Sequence, residues 1–326
     1  MTTTLENKIF GVEPATFAPL ALDVFHFQYR HNPLYRSYTD TLGIDPRTVG
    51  SVSQIPFLPV GFFKTHAVKT TDFETQTVFE SSGTTQTLNS RHYVKDPSLY
   101  RESFVRGFEI FYGPVSDWCI IGLLPSYLER NNSSLVVMVD ELICLSGQEF
   151  SGFYLYEHDN LYRVLEELER RGQKTLLIGV TFALLDFAEK YSLSLHRTVV
   201  METGGMKGRR REMTRPELHD FLSERLGLQS IHAEYGMTEL LSQAYSSGGG
   251  LFKTVPWMKV LVRQDDDPLI VMEEGEGILN MIDLANLYSC SFVATEDLGK
   301  VYADGSFQVS GRVDNSDIRG CSLLVL

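Results

Sequence analysis

The chain has 326 residues, 29 of them Lys or Arg and 42 Asp or Glu, for a net charge of −13 at neutral pH. Hydrophobic residues make up 43% and charged residues 22%, the balance of a globular protein and not of a disordered chain. The acidic surplus excludes nucleic acid as the expected partner: phosphate binding needs clustered Lys and Arg, and the one dense basic run, Lys207-Gly208-Arg209-Arg210-Arg211, is too short to reverse it.

The N-terminus, Met1-Thr2-Thr3-Thr4-Leu5-Glu6, lacks the basic and apolar stretches of a signal peptide. The longest apolar runs, residues 119–124 and 135–139, are strand-sized, so no membrane span is expected. Cys119, Cys144, Cys290 and Cys321 show no C-x-x-C spacing, and usage this sparse suits the reducing cytoplasm, the expected location. The first three sit in apolar surroundings that read as core.

Residues 1–65 are aromatic-rich and end in Ile55-Pro-Phe-Leu-Pro-Val-Gly-Phe-Phe-Lys64. Two prolines there deny a continuous helix or central strand, so the segment is expected to be extended and to wrap the core. From residue 161 the pattern alternates: a helix over 161–171 closed by Gly172, a buried strand over 174–179, an amphipathic helix over 182–191, and a strand over 197–201. A helix over 214–226 comes next, opened by the capping box Thr214-Arg-Pro-Glu217 and stopped by Gly227, and then a strand over 229–233. Strand, helix, strand, helix, strand predicts a parallel α/β unit. From Leu269 short strands and turns (Glu274-Gly275, Asp304-Gly305) predict a β-rich ending. With no repeat and no linker, the expectation is one domain: a wrapping segment over 1–65, an α/β core over 66–265 and a β-rich subdomain over 266–326.

Four local motifs could carry chemistry. Glu80-Ser-Ser-Gly-Thr-Thr85 is a hydroxyl loop around a glycine, with Ser81, Ser82, Gly83, Thr84 and Thr85 able to wrap a polyphosphate through N–H and O–H donors. It is not a Walker loop, because no G-K-[ST] follows. Glu202-Thr-Gly204-Gly205 and Glu234-Tyr235-Gly236-Met-Thr238-Glu239 each follow a predicted parallel strand, at the end where open α/β sheets place ligands. Gly204, Gly205 and Gly236 would let a flat base approach, Tyr235 could stack on it, Thr238 could donate to a phosphate, and Glu239 could ligate Mg²⁺. In the last motif, Asp297-Leu-Gly299 precedes Gly311-Arg312-Val-Asp-Asn-Ser-Asp-Ile-Arg-Gly320. Asp297 suits two vicinal ribose hydroxyls, and Arg312 suits ribose or phosphate. Taken singly, each motif is equally an ordinary turn with solvated side chains.

In this order the four motifs resemble those of the adenylate-forming superfamily of acyl- and aryl-CoA ligases, luciferases and adenylation domains. The resemblance covers the chain from about Glu80 to its end. The segments Ile-Pro-Phe-Leu-Pro-Val-Gly-Phe-Phe-Lys-Thr65 and Glu202-Thr-Gly-Gly-Met-Lys-Gly-Arg209 are similar to a narrower branch, the LuxE-type acyl-protein synthetases. The resemblance implies the large N-terminal α/β domain of that superfamily, with layered sheets and helices. It also implies ATP and Mg²⁺ as cofactors and activation of a carboxylic acid, such as a long-chain fatty acid, to acyl-AMP.

Two departures stand out. Gln86 occupies the place where the hydroxyl loop usually closes with glycine. Only Cys321-Ser-Leu-Leu-Val-Leu326 follows the Ile-Arg-Gly segment, which in most of the superfamily leads to a mobile lid carrying a catalytic lysine, so a lid is not expected. The LuxE-type branch implies a near-terminal cysteine that takes the acyl group as a thioester and passes it to a partner protein, such as an acyl reductase or a carrier. Cys321 is the candidate, with Arg319 able to lower its pKa, and a small half-buried residue in a final strand is the other reading. Lys207 and Arg209 are candidates to neutralise phosphate charge, and are equally a solvated basic loop. Two alternatives remain at this stage: a ligase delivering acyl groups to coenzyme A or a carrier without a covalent enzyme intermediate, and a non-catalytic acyl- or nucleotide-binding subunit.

Overall fold

Helices, not an extended wrap, fill most of the first 65 residues of the computed structural model, which describes residues 2–81, 88–124, 132–204 and 213–313. Helices α1 (Thr2–Ile9), α2 (Pro14–His31) and α3 (Pro33–Thr41) correct the sequence expectation. Pro14 and Pro33 stand in the first helical turn, where the missing N–H has no intrahelical partner to lose. The Glu13 N–H donates to the Thr16 hydroxyl at 3.0 Å, and Asn32 caps α3 by accepting the Tyr35 N–H at 3.0 Å. Helix α2 buries Phe17, Leu20, Val24 and Phe25. The two prolines of the Ile55–Lys64 stretch do restrict regular structure there, to a two-residue strand, β1 (Leu58–Pro59), and one turn of helix, α4 (Phe62–Thr65).

The described residues form two compact units: those within 1–104, 236–243 and 253–313 make the first, and those within 105–235 and 244–252 the second. In the first, β2 (Thr77–Glu80) and β3 (Arg91–Val94) pair antiparallel, with Glu80 opposite Arg91. Helix α5 (Pro97–Tyr112) begins in the first unit and ends in the second.

The second unit is the α/β part. In chain order it holds β4 (Cys119–Leu123), α6 (Ser134–Ser146), β5 (Gly152–Phe153), α7 (His158–Arg171), β6 (Thr175–Gly179), α8 (Thr181–Lys190), β7 (Thr198–Glu202), α9 (Arg215–Leu226), β8 (His232–Tyr235) and β9 (Ala244–Ser246). The strand order is β5-β4-β6-β7-β8-β9, parallel throughout except for β9. Every residue of β4 and β6 is buried, as expected for central strands covered on both faces. The predicted alternation from residue 161 is present, with α7 beginning three residues earlier than expected, at His158. Strand β8 begins three residues later than expected because its pairing with β7 sets Met201 opposite His232 and Glu202 opposite Ala233. Tyr235 therefore ends the strand instead of following it. Cys144, read as core, is exposed on α6, whereas Cys119 and Cys290 are buried.

Strand β10 (Phe252–Thr254) returns the chain to the first unit. There β11 (Met258–Arg263), β12 (Val271–Met272), β13 (Gly275–Asp283), β14 (Phe292–Val301) and β15 (Phe307–Arg312) form an antiparallel sheet in the order β12-β11-β13-β14-β15. Strand β1 joins it in parallel, Leu58 opposite Val293. The β14–β15 register slips between Leu298 and Gly299, and a Cβ on Gly299 would lie 2.2 Å from the Gln308 carbonyl oxygen, so the irregularity needs glycine. Among the described residues no helix is long and apolar enough to cross a membrane.

Helix α9 shows how local chemistry fixes the second unit. The Thr214 hydroxyl accepts the Glu217 N–H, Glu217 reaches back to the Thr214 N–H at 2.7 Å, and Gly227 ends the helix at φ 68°. A Cβ on Gly227 would meet Ser194 Cα at 2.9 Å and the Leu193 carbonyl oxygen at 3.0 Å, both backbone atoms. Gly227→Ala should therefore lower stability by about 1–2 kcal/mol from left-handed backbone alone, and by more once the clash is added. Urea titration of the two proteins should show the lower midpoint; equal midpoints would mean the turn relaxes freely.

Candidate active site

In the second unit the carboxyl ends of β6, β7 and β8 form the edge expected to face a ligand. Beyond β7 the chain turns at Gly204 (φ 72°), whose carbonyl accepts the Thr181 N–H at 3.0 Å, while the Thr203 N–H donates to the Gly179 carbonyl at 3.1 Å. These bonds tie the Glu202-Thr-Gly turn to the end of β6. Glu202 is buried and accepts the Gly204 N–H at 2.6 Å and Arg215 Nε at 3.1 Å, with His219 Nε2 3.6 Å away. Burial alone would raise its carboxyl pKa, but His219, Arg215 and the Gly204 N–H together hold it below the usual range.

Glu234, on β8, goes the other way. Burial, reinforced by the charge of Glu202, pushes it up to about 8. One carboxylate of this edge is thus kept ionised and its neighbour kept largely protonated at neutral pH. His232 accepts or donates to the Tyr112 hydroxyl at 3.1 Å, and burial lowers the imidazole and raises the phenol. The Tyr235 ring packs against Phe252 with centroids 5.9 Å apart, and the Arg215 guanidinium lies 5.3 Å from the same Phe252 ring.

In the first unit the centre is the loop of residues 236–243. An irregular segment of partly buried backbone must find partners for its polar groups. His92 Nδ1 lies 2.8 Å from the Thr238 carbonyl, Asn286 Nδ2 donates to the Glu239 carbonyl at 2.7 Å, and the Leu240 N–H donates to the Met237 carbonyl at 3.1 Å. Asp283 completes the set: its carboxylate accepts the Leu241 N–H (2.7 Å), the Ser242 N–H (3.0 Å), the Ser242 hydroxyl (2.6 Å) and the Ala285 N–H (3.1 Å). Burial raises Asp283 to about 6 even against these four donors. The same burial lowers His92 to about 4, so its ring is neutral at physiological pH and can donate one Nδ1–H to the loop. Ser242 also meets Ser103 Oγ at 3.0 Å, and Trp257 Nε1 donates to both hydroxyls at 3.0 Å.

Asp297 and Arg312 face each other across β14 and β15, and Arg312 Nε donates to Asp297 Oδ1 at 2.8 Å with both side chains at most 10% exposed. Two residues read separately as ribose and phosphate contacts are therefore an ion pair. Ser81 begins the hydroxyl loop: its hydroxyl oxygen accepts the Ser90 N–H at 2.9 Å, and its own N–H donates to the Ser90 carbonyl at 3.1 Å. Glu239 is buried at 1% exposure, Thr238 is half-buried and Gly236 is exposed. Ser82, Gly83, Thr84, Thr85, Gly205, Lys207, Arg209 and Cys321 lie outside the described residues.

The first unit thus brings the loop of residues 236–243 together with three residues that the motifs do not name: His92, Asp283 and Asn286. Two of them have a sequence signal. Asp283 and Asn286 interrupt the apolar run Met281-Ile-Asp-Leu-Ala-Asn-Leu287, where a buried acid and amide must each have partners.

The profile of the family described as "Acyl-protein synthetase, LuxE" matches residues 13–326. The chain belongs to that family. No curated protein sequence matches it. Among solved structures, o-succinylbenzoate coenzyme A synthetase of Bacillus subtilis in complex with ATP and magnesium ion is similar over 76% of this chain and 54% of its own, at 17% identity and a TM-score of 0.50. The same enzyme in complex with the acyl-adenylate intermediate matches over 73% and 49%, at 17% identity and TM-score 0.50. A luciferase-like enzyme from the mealworm Zophobas morio matches over 79% and 63%, at 18% identity and TM-score 0.49. The LuxE chain spans about half the length of the synthetase it matches, and the likeness is one of fold: the large α/β domain of the adenylate-forming enzymes.

Among the described residues no group of three or more His, Cys, Asp or Glu could hold a metal ion. A single carboxylate such as Glu239 fits a Mg²⁺ that arrives with phosphate oxygens and water, and does not fit a resident metal.

Two outcomes test this geometry. In Asp283→Asn one amide must turn its NH₂ toward N–H donors, which should cost about 1–3 kcal/mol in a chemical denaturation series. Glu234 binds its proton more tightly folded than unfolded. Its contribution to stability is therefore full below about 4.5 and is lost as pH rises through about 8. The melting temperature of Glu234→Gln, relative to the unsubstituted protein, should climb across that window; a flat difference would place the carboxylate in water.

Proposed function

We propose that this LuxE-family protein is an AMP-forming acyl-protein synthetase acting on a long-chain fatty acid. An oxygen of the substrate carboxylate attacks the α-phosphorus of ATP, the α–β phosphoanhydride bond breaks, and pyrophosphate leaves with the acyl-adenylate still bound. The Cys321 thiolate then attacks the acyl carbon, AMP departs, and the thioester is handed to a nucleophile on a partner protein such as an acyl reductase.

The observation that carries the reading is the anchoring of the 236–243 loop, which holds the Gly236–Glu239 motif, by His92 at Thr238, Asn286 at Glu239 and Asp283 at Leu241 and Ser242. Phosphoryl and acyl transfer ask a protein mainly for donors and charges fixed in advance, and backbone held by buried side chains supplies that. In this reading Thr238 donates to phosphate, Tyr235 stacks on the adenine, and Gly204 and Gly205 let the base approach. Asp297 accepts from ribose hydroxyls while Arg312 holds it in place. Ser81, Ser82, Gly83, Thr84 and Thr85 wrap the β- and γ-phosphates, and Lys207 and Arg209 offset the charge of departing pyrophosphate. Glu239 would hold Mg²⁺, which supplies charge neutralisation at the phosphates when bound. The cytoplasm, with its ATP and reduced thiols, suits this chemistry.

The experiment is a pair of assays on the purified protein with ATP, Mg²⁺ and radiolabelled fatty acid. The unsubstituted protein should acquire a hydroxylamine-sensitive label and support acid-dependent ATP–pyrophosphate exchange. Cys321→Ser should lose the label and keep the exchange. A label that survives the substitution removes Cys321 from the reaction, and absence of exchange with every acid tried removes the adenylation step itself.

A further inference from the structure

The two side chains that hold the 236–243 loop by its carbonyls, His92 and Asn286, also line a small cavity beside it in the first unit, together with Lys95, Leu99, Leu241 and Ala285. Its volume is about 10 Å³, the room of a single water molecule. None of the described residues read as nucleotide contacts lines it.

The partners of these two side chains fix what each presents to the cavity. A backbone carbonyl only accepts, so the His92 nitrogen 2.8 Å from the Thr238 carbonyl, Nδ1, carries the ring's proton. Burial lowers His92 to about 4, so the ring holds one proton at neutral pH and Nε2 is left as a lone-pair acceptor. The amide is fixed in the same way: Nδ2 donates to the Glu239 carbonyl at 2.7 Å, so the other arm of Asn286 is its oxygen. Asn286 is 0% exposed, and its Oδ1 makes no hydrogen bond among the described residues. The amide lies close enough to His92 to favour the charged form of the ring. A buried carbonyl oxygen left without a donor is unfavourable, and the cavity is where a donor can reach it.

We infer that the cavity binds one water molecule, which donates one O–H to Asn286 Oδ1 and the other to His92 Nε2 and so joins the two anchors of the loop. Two acceptors call for a ligand with two protons to give, which excludes an anion. The charge of Lys95, whose Nζ lies 3.7 Å from the Tyr288 ring centroid, disfavours ammonium or a metal cation in the same cavity. The volume excludes anything larger. A bridge of this kind makes each anchor hold the other: the water fixes the face of the amide and the tautomer of the ring, and these decide which loop carbonyls are bonded. The site stands independently of the adenylation reading, since nothing in it calls for ATP.

A high-resolution crystal structure of the unsubstituted protein tests it. A water should stand within about 3 Å of both Asn286 Oδ1 and His92 Nε2. Its absence, or a direct bond between the two side chains in its place, would overturn the site. Crystals grown in rubidium chloride separate the possible occupants, since an anomalous peak in the cavity would make the ligand a cation and remove the water. Nitrogen NMR of the His92 ring needs no crystal: the proton should be on Nδ1 at neutral pH, and a proton on Nε2 would remove the second acceptor and the inference with it. His92→Asn reads the effect on the loop. Its amide can keep the Thr238 bond in place of Nδ1 while Nε2 is gone, so the water should be lost. The Leu240 and Leu241 amides should then undergo hydrogen–deuterium exchange about five- to tenfold faster. Unchanged exchange in a variant that keeps the Thr238 bond would mean that the two anchors are not joined through water. Should the variant fail to fold, the crystal structure and the ring tautomer of the unsubstituted protein decide.

Discussion

The carboxylate of Asp283 is the point on which the first unit's loop of residues 236–243 depends. The chain leaves the second unit after Tyr235, contributes residues 236–243 to the first, and returns at Ala244. A segment of eight residues with no helix or ladder of its own cannot satisfy its backbone locally. Asp283 meets that requirement by taking two of its N–H groups and the Ser242 hydroxyl at once, with His92 and Asn286 holding two carbonyls upstream. Burying a carboxylate is unfavourable, and burial raises its pKa to about 6 even against four donors. The fold accepts that cost to hold an irregular loop in one conformation.

The second unit solves a related problem with two carboxylates. Glu202 and Glu234 lie on neighbouring strands and influence each other, and ionising both would place like charges in a poorly solvated edge. Arg215, His219 and the Gly204 N–H all favour Glu202, so the charge settles there and Glu234 retains its proton to about 8. The ionised member then braces the turn at Gly204 through a 2.6 Å hydrogen bond. Charge assignment and backbone geometry at this edge are one arrangement, which is why exchanging either glutamate for its amide would have unequal effects.

Legibility in the sequence depends on the range of the interactions. Helix α9 is readable to within a residue because its capping box and its terminal glycine each act within a turn of the helix end they define. The same holds for the end of α7 at Gly172, but its start at His158, with no side-chain cap, lies three residues before the expected one. The N-terminal helices escape a local reading because prolines carry two opposite meanings: those at 56 and 59 do break structure, while Pro14 and Pro33 begin helices. Strand β8 is displaced by three residues because its limits come from pairing with β7, a contact about thirty positions away that no local pattern encodes. His92 is invisible for the same reason in stronger form: its partner Thr238 lies 146 positions on. A cavity in the first unit is lined by segments near residues 45, 57, 263 and 294, and only the fold collects them.

The Asp297–Arg312 pair shows what a motif does and does not specify. Read along the chain, the aspartate and the arginine are separate ligand contacts; on adjacent antiparallel strands they are directly opposite and bind each other. The two descriptions are compatible in chemistry. A carboxylate offers about four acceptor positions, and the Nε–H of arginine uses one of them at Oδ1. A guanidinium has five N–H groups in a fixed fork, so the one engaged with Asp297 also fixes the direction of the others. A ribose meeting such a pair would find the acceptor already oriented, with little side-chain entropy left to lose on either partner. That preorganisation requires both members on a common rigid element, and the β14–β15 ladder is that element.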